Sequence, residues 1–180
     1  IHVLSDNSIL YGYGGRAIKL LPNGQSDSAF GTNGSISIDL SQTDSLGYVL
    51  HADGSIYMFG KELTGDKEFI IAKFNINGVL DSSFGTNGYI FLDINSYDLF
   101  SNNSIRFLDA TSFLFNYSET VNNTLTNYIV KLDVSGTIDS SFGTNGYVES
   151  AFNDLRNSDF HLLNSGELFI SYAAEDNGIF

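Results

Sequence analysis

The chain is 180 residues long, 42% hydrophobic and 14% aromatic, enough for a real packed core, while only 16% of it is charged. Its 21 acids against 8 Lys and Arg leave a net charge of -13, which argues against nucleic acid and anionic membrane surfaces as partners, because phosphates would be repelled. There is no cysteine, so disulfides, thiolate metal sites and cysteine nucleophiles are excluded.

No run approaches the roughly 20 apolar residues of a membrane-spanning helix. The start, IHVLSDNSIL, has neither an initiator Met nor the charged-then-apolar layout of a signal peptide. We therefore expect a segment of a longer protein, in which a missing export signal carries no meaning. The 10 Tyr and 15 Phe against a single Met favour strands over helices, and the 18 Gly supply turns.

In chain order the alternating runs predict strands at IHVLS, SILYGY and RAIKLL, then at SISIDL, GYVLHAD, SIYMFG and EFIIAKFN. The pattern returns at GYIFLDI, SIRFLD, ATSFLFNY and TNYIVKLD, and ends with YVESAF, DFHLL and ELFISY. None of these carries a helical period. One nonapeptide punctuates them: DSAFGTNGS at 27–35, DSSFGTNGY at 81–89 and the same again at 139–147. Phe30, Phe84 and Phe142 lie 54 and 58 residues apart (84 − 30 and 142 − 84). Aligning Gly24, Gly78 and Gly136 also brings Lys19, Lys73 and Lys131 into register.

The nonapeptide reads as a connector. Asp27, Asp81 and Asp139 are expected to bond nearby amides, the three Phe to plug the core, and Gly31, Gly85 and Gly143 to take positive φ. Asn33-Gly34, Asn87-Gly88 and Asn145-Gly146 each precede a strand, as a tight turn requires. The expectation is that each connector hands the chain from the fourth strand of one unit to the first strand of the next. Four short antiparallel strands per unit of this length predict an all-β fold, a β-propeller of four-stranded antiparallel blades. The units would be a partial blade at 1–34, blades at 35–88 and 89–146, and a partial blade at 147–180, so about three to four blades of a partial propeller. A β-sandwich with duplicated segments is the rival, though it has no need of the same connector at every fourth strand.

The residues LDSSFGTNGYI and IDSSFGTNGYV, preceded by AKFNING and VKLDVSG, resemble the delta-60 repeat family of β-propeller-like proteins over nearly the whole chain. Its unit is visible as HADGSIYMFG, IIAKFN and LDSSFG between His51 and Gly88. Asp6-Asn7 and Ala110-Thr111 depart from it where Asp53-Gly54 forms the turn, and Ser26 stands where Leu80 does. The resemblance implies a secreted or surface-exposed bacterial protein, commonly of Bacteroidota and often exported by the type IX system. It implies no catalytic residue set.

Candidate ligand-binding residues are few. His2, Arg106 and His161 fall at one repeat position, and His51 lies two residues further on, hence on the same strand face. Lining a groove or an axial channel, they would suit a carboxylated ligand; sitting at blade edges, they would only satisfy loops. The three aligned Asp read as turn stabilisers rather than calcium ligands, because calcium wants about 6–8 converging oxygens. The aligned lysines would meet these acids or extend to solvent. No P-loop, GxSxG elbow, HExxH or dinucleotide fingerprint occurs, so no cofactor or metal is expected. The function expected is a non-catalytic extracellular scaffold or binding module, such as an adhesin or partner-binding subunit. Its partners would be other proteins, surface glycans and the remaining blades of a longer chain, and its specificity would sit in Ser41–Gly47, Gly60–Glu68 and Ser118–Asn127. A polysaccharide-acting enzyme using acids such as Asp93, Asp98 and Glu149 at about 5–10 Å separation, or a structural spacer, are the alternatives.

Overall fold

Runs in which every second residue is large and apolar become strands with one buried face, and the computed structural model places a strand at each of the fourteen predicted runs. It describes residues 1–13, 15–38, 43–62, 68–93, 105–121, 124–150, 159–162 and 168–171. The chain divides into two units, Ile1–Asn95 and Ser96–Phe180. In the first, β1 (His2–Val3), β2 (Ile9–Tyr13), β3 (Arg16–Leu20) and β4 (Ser35–Ile36) form one antiparallel sheet. The second sheet contains β5 (Thr43–Leu50), β6 (Ile56–Glu62), β7 (Glu68–Phe74) and β8 (Tyr89–Asp93), again in sequence order. The other unit holds a third sheet of β9 (Ile105–Phe107), β10 (Ser112–Val121), β11 (Thr124–Asp133) and β12 (Tyr147–Ser150), and a two-stranded ladder of β13 (Asp159–Leu162) and β14 (Leu168–Ser171). Three four-stranded antiparallel sheets, with no helix among the described residues, make up an all-β partial β-propeller.

The connector does not do what its sequence position suggested. It joins β3 to β4, β7 to β8 and β11 to β12, strands of one sheet rather than of successive sheets. The sheets accordingly span 2–36, 43–93 and 105–150, a phase one strand later than the units 35–88 and 89–146. The cause lies in the backbone bonds around the Asn-Gly pair. Asn87 and Gly88 both have positive φ (54° and 97°), and Thr86 and Tyr89 exchange N–H to C=O bonds of 2.7 and 3.2 Å across them. This two-residue reversal with φ > 0 at both centres is the primed hairpin turn; it folds Tyr89 back on Thr86, while the Lys73 N–H, donating to the Gly88 carbonyl at 3.3 Å, sets the outgoing strand beside β7. In the first unit the change of sheet falls instead between Ile36 and Thr43.

Two expected loops are largely strand. β10 and β11 continue through the expected loop Ser118–Asn127 to the pair Val121↔Thr124, leaving only residues 122–123 between them. The β-branched residues Thr120, Val121, Thr124 and Thr126 favour this extension. Similarly β5 begins at Thr43, inside the expected loop Ser41–Gly47, with a register irregularity between Ser45 and Gly47. β6 runs on to Glu62, so that only the middle of Gly60–Glu68, residues 63–67, lies outside the described residues.

Alternation sets the core. Leu10, Ala17 and Ile36 of the first sheet pack against Ile56, Met58, Ile70, Ala72 and Phe74 of the second, all fully or almost fully buried. Each large apolar side chain so buried contributes about 1.5–3 kcal/mol. Two polar ties fix the register between the sheets: Tyr48 Oη donates to the Leu10 carbonyl at 3.0 Å, and the Gly31 N–H donates to the Asn77 carbonyl at 3.0 Å. Burial pushes the Tyr48 phenol up to about 12, so it remains a donor. In the other unit Leu114 and Ile129 are the buried centre, with Leu108, Phe142 and Val148 packed on them.

The connector Phe are therefore unequal. Phe84 is 2% exposed and meets the Tyr57 ring edge-on at 5.5 Å, whereas Phe142 is only partly buried. Phe84→Ala is expected to cost about 3–5 kcal/mol in denaturant unfolding, and Phe142→Ala clearly less. Tyr48→Phe should cost about 1–3 kcal/mol, because it leaves the Leu10 carbonyl without its donor.

Candidate functional site

The three connectors repeat one hydrogen-bonded frame. The Asp81 N–H donates to the Lys73 carbonyl (2.8 Å), the Phe84 N–H to the Asp81 carbonyl (3.0 Å), the Gly88 N–H to the Phe84 carbonyl (2.8 Å) and the Lys73 N–H to the Gly88 carbonyl (3.3 Å). The same four bonds recur at Asp27, Phe30, Gly34 and Lys19 and at Asp139, Phe142, Gly146 and Lys131, within 0.1 Å of these lengths. Gly31, Gly85 and Gly143 take φ of 54°, 53° and 56°, and at Gly85 an added Cβ would fall onto the Tyr89 carbonyl oxygen. No side chain fits there.

Charge completes the frame. Lys19, Lys73 and Lys131 reach Asp27, Asp81 and Asp139 at 3.5, 3.2 and 2.8 Å. The other carboxylate oxygen of Asp139 accepts from the Ser141 hydroxyl (2.5 Å) and amide (3.1 Å). The Lys131 and Ser141 hydrogen bonds together hold the Asp139 carboxyl down at about 2, and Asp81 is lowered by Ser83 and Lys73 in the same way. These acids are thus turn residues, one per sheet. Among the described residues no three His, Asp or Glu side chains converge as a metal site would require.

The unit's other turn keeps its geometry through a substitution. Asp53-Gly54 has Gly54 at φ 88°, and in the first sheet Asn7 adopts φ 62°, the conformation Asn best tolerates after Gly. Asp6 Oδ1 accepts from the Ser8 amide at 2.9 Å, as Asp53 Oδ1 does from Ser55 at 2.7 Å and Asp109 Oδ1 from Thr111 at 2.6 Å.

The basic candidates fall one to each sheet: His2 on β1, His51 just after β5, Arg106 on β9 and His161 on β13. His2 pairs across β1–β2 with Leu10 and lies edge-on to Tyr48 at 5.7 Å, on the first-sheet face that packs on the second. His51 is 5% exposed, edge-on to Tyr57 at 6.3 Å, with Nδ1 2.8 Å from Asp53 Oδ1. Tyr57 occupies the place in the second sheet that Leu10 has in the first, so the two histidines sit on like faces of successive sheets. Burial alone would raise the Asp53 carboxyl, but the Ser55 amide, His51 and the Ser55 hydroxyl hold it at about 2. Arg106 is exposed on the edge strand β9, and His161 pairs with Phe169 in the β13–β14 ladder. Of the acids weighed for hydrolysis, Asp93 pairs with Glu68 at the end of β8, Glu149 is exposed on β12, and Asp98 lies outside the described residues.

What the sequence did not single out is a groove of about 520 Å³ between the first two sheets. Its polar wall includes Arg16, Thr32, Asn33 and Ser35, and its apolar wall includes Phe74 and Tyr89. Aligning on the lysines puts Arg16 where Ile70 and Tyr128 stand, an arginine at an otherwise apolar repeat position. That departure was the available signal. Among the described residues no acid pairs with Arg16.

Because the Asp139 carboxyl titrates near 2 when folded and near about 3.9 when unfolded, its stabilising effect is complete above the unfolded value and lost as pH falls toward the folded one. Asp139→Asn should therefore flatten the fall in Tm between about pH 4 and pH 2, read by circular dichroism. An acid limb of unchanged steepness would contradict the assigned Lys131 and Ser141 contacts.

Residues 116–142 match a family described as "Domain of unknown function (DUF5122) beta-propeller". No curated protein matches the chain. A crystal structure of a protein of unknown function from Bacteroides caccae superposes with a TM-score of 0.54 at 11% identity, over 91% of this chain and 48% of that one. The chain spans about half the length of that structure, and the likeness is one of fold: a β-propeller-like architecture of unknown function.

Proposed function

We propose that the chain is a non-catalytic binding module of a secreted or cell-surface protein, an adhesin or partner-binding subunit, in which repeated connectors hold a constant frame and a groove between sheets takes the ligand. The observation that carries this reading is the groove itself. A guanidinium, hydroxyls, a carboxamide and an aromatic ring along one cleft of about 520 Å³ are the groups that recognise hydroxyl-rich ligands bearing an isolated carboxylate. A net charge of -13 disfavours polyanions, and one arginine matches one anionic group rather than many. The ligand class that fits is an acidic surface glycan or a polar peptide with a single acidic side chain. Ordered pairing on both sides of the cleft favours a preformed site, with little loop ordering on binding.

Titration calorimetry with uronic-acid oligosaccharides and their neutral counterparts tests this directly. Binding of the acidic series should weaken by about tenfold or more in Arg16→Gln, equivalent to one charge-assisted hydrogen-bond pair of about 1.5–3 kcal/mol, with the saccharide recovered intact. Shortened saccharide after incubation would instead favour a polysaccharide-acting enzyme, and equal affinity of variant and parent would remove Arg16 from the site.

A further inference from the structure

The groove continues beyond its own walls along one strand. β8 is an edge strand of the second sheet, and Tyr89 at its start belongs to the apolar wall of the groove. Strand pairing sets Tyr89 opposite Ala72 and Phe91 opposite Ile70, and Ala72 and Ile70 belong to the core shared with the first sheet. Side chains alternate along a strand, so Tyr89 and Phe91 stand in line on that face. Their ring centroids are 6.3 Å apart, with the planes tilted by 41°. Tyr89 is half-buried against the core, and its backbone is held by the two bonds to Thr86 in the connector. Phe91 is 43% exposed.

Phe91 is a departure from the repeat. The residue two positions after each nonapeptide ends is Ser37, Phe91 or Glu149, so an open aromatic ring stands where the other two copies carry polar side chains. Arg16 departs from the repeat as well, and both departures fall at the junction of the first two sheets. An isolated exposed Phe is ordinary surface. One that extends the half-buried aromatic wall of a cleft holding a guanidinium makes a continuous binding surface. Charge changes along the same line. The groove carries Arg16, whereas β8 closes on Asp93 in register with Glu68, two acids. A carboxylate is attracted in the groove and repelled at the far end of the strand.

We propose, resting on the groove as the module's ligand site, that this surface selects a glycan in which a uronic acid is joined to a neutral pyranose. The carboxylate meets Arg16, and the neutral ring lies on Tyr89 and Phe91. The two aromatic rings offer an open, one-sided apolar surface. A pyranose is a rigid disc that can lay its C–H face on such rings while its hydroxyls stay in water. An apolar peptide side chain gains its full burial only in a concave pocket, which a ring on an edge strand does not form. Phe91 is thereby a specificity-determining residue, and the acidic pair beyond it turns away a second uronic acid.

The test titrates the 180-residue chain with methyl glucuronoside, a glucuronate–glucose disaccharide and diglucuronate, followed by NMR chemical shifts. The mixed disaccharide should bind up to about tenfold more tightly than methyl glucuronoside, the range of a good ring contact, and diglucuronate should show no such gain. Phe91→Ala should abolish the gain and leave methyl glucuronoside unchanged, with Phe91→Tyr retaining it. The comparison of ligands on the unsubstituted chain stands even if a variant folds poorly. Arg16-dependent binding of methyl glucuronoside with no gain from the neutral ring, or with a gain that survives Phe91→Ala, would overturn this inference and leave the groove as the ligand site. A gain from diglucuronate equal to that from the mixed disaccharide would also overturn it. Saccharide binding indifferent to Arg16→Gln would remove the groove reading and this inference together. Arg16-dependent binding of an acidic peptide, with no saccharide bound, would assign the surface to a protein partner instead.

Discussion

The structure depends on a backbone clamp around each repeated lysine. Lys73 donates its N–H to Gly88 and accepts from Asp81 on its carbonyl, so both ends of an intervening excursion are tied to the same residue. The side chain of that lysine then closes on the acid at 3.2 Å. A half-buried ion pair of this kind at the surface adds little by itself. Its place is to orient an Asp whose other oxygen organises the turn, while the buried Phe and the left-handed glycines hold the excursion compact. Three copies with nearly identical bond lengths indicate one local solution reached independently of which residues surround it.

The clamp also decides sheet composition. Because the chain is returned to the strand it just left, the connector closes a four-stranded sheet, and the step to the next sheet must be taken by the segment that follows β4. A sequence unit thereby gives its first strand to one sheet and its remaining three to the next. Such sharing ties the first two sheets covalently as well as by packing. Against this shared frame, the Arg16 substitution and the groove beside it stand out as local features of one junction.

Strand positions were legible because alternation and aromatic content act within a few residues, and short runs such as SIYMFG and YIVKL carry them intact. The phase of the repeat was not. A period fixes spacing but leaves open where a unit begins, so a strand following a connector can be assigned forward or backward with equal regard for hydrophobic pattern. The missing information lay in the backbone bond from the Lys73 N–H to the Gly88 carbonyl, which sets the strand after Gly88 beside β7. The acids at Asp81 and Asp139 were legible as turn residues because their role is local. His2 and His51 were legible as residues of one strand face, and in the structure they lie on like faces of the first and second sheets. The groove was not legible, since its walls come from segments more than 50 residues apart (Arg16 and Phe74 among them) and no periodicity reports on the space between two sheets.

The account turns on whether the connector closes its own sheet. Cross-strand nuclear Overhauser effects in isotope-labelled protein test that most directly. The account predicts contacts between Ile71 and Ile90 and between Ile129 and Val148, the registered partners of β7–β8 and β11–β12. Contacts from Tyr89–Asp93 to β9 in place of β7 would contradict it.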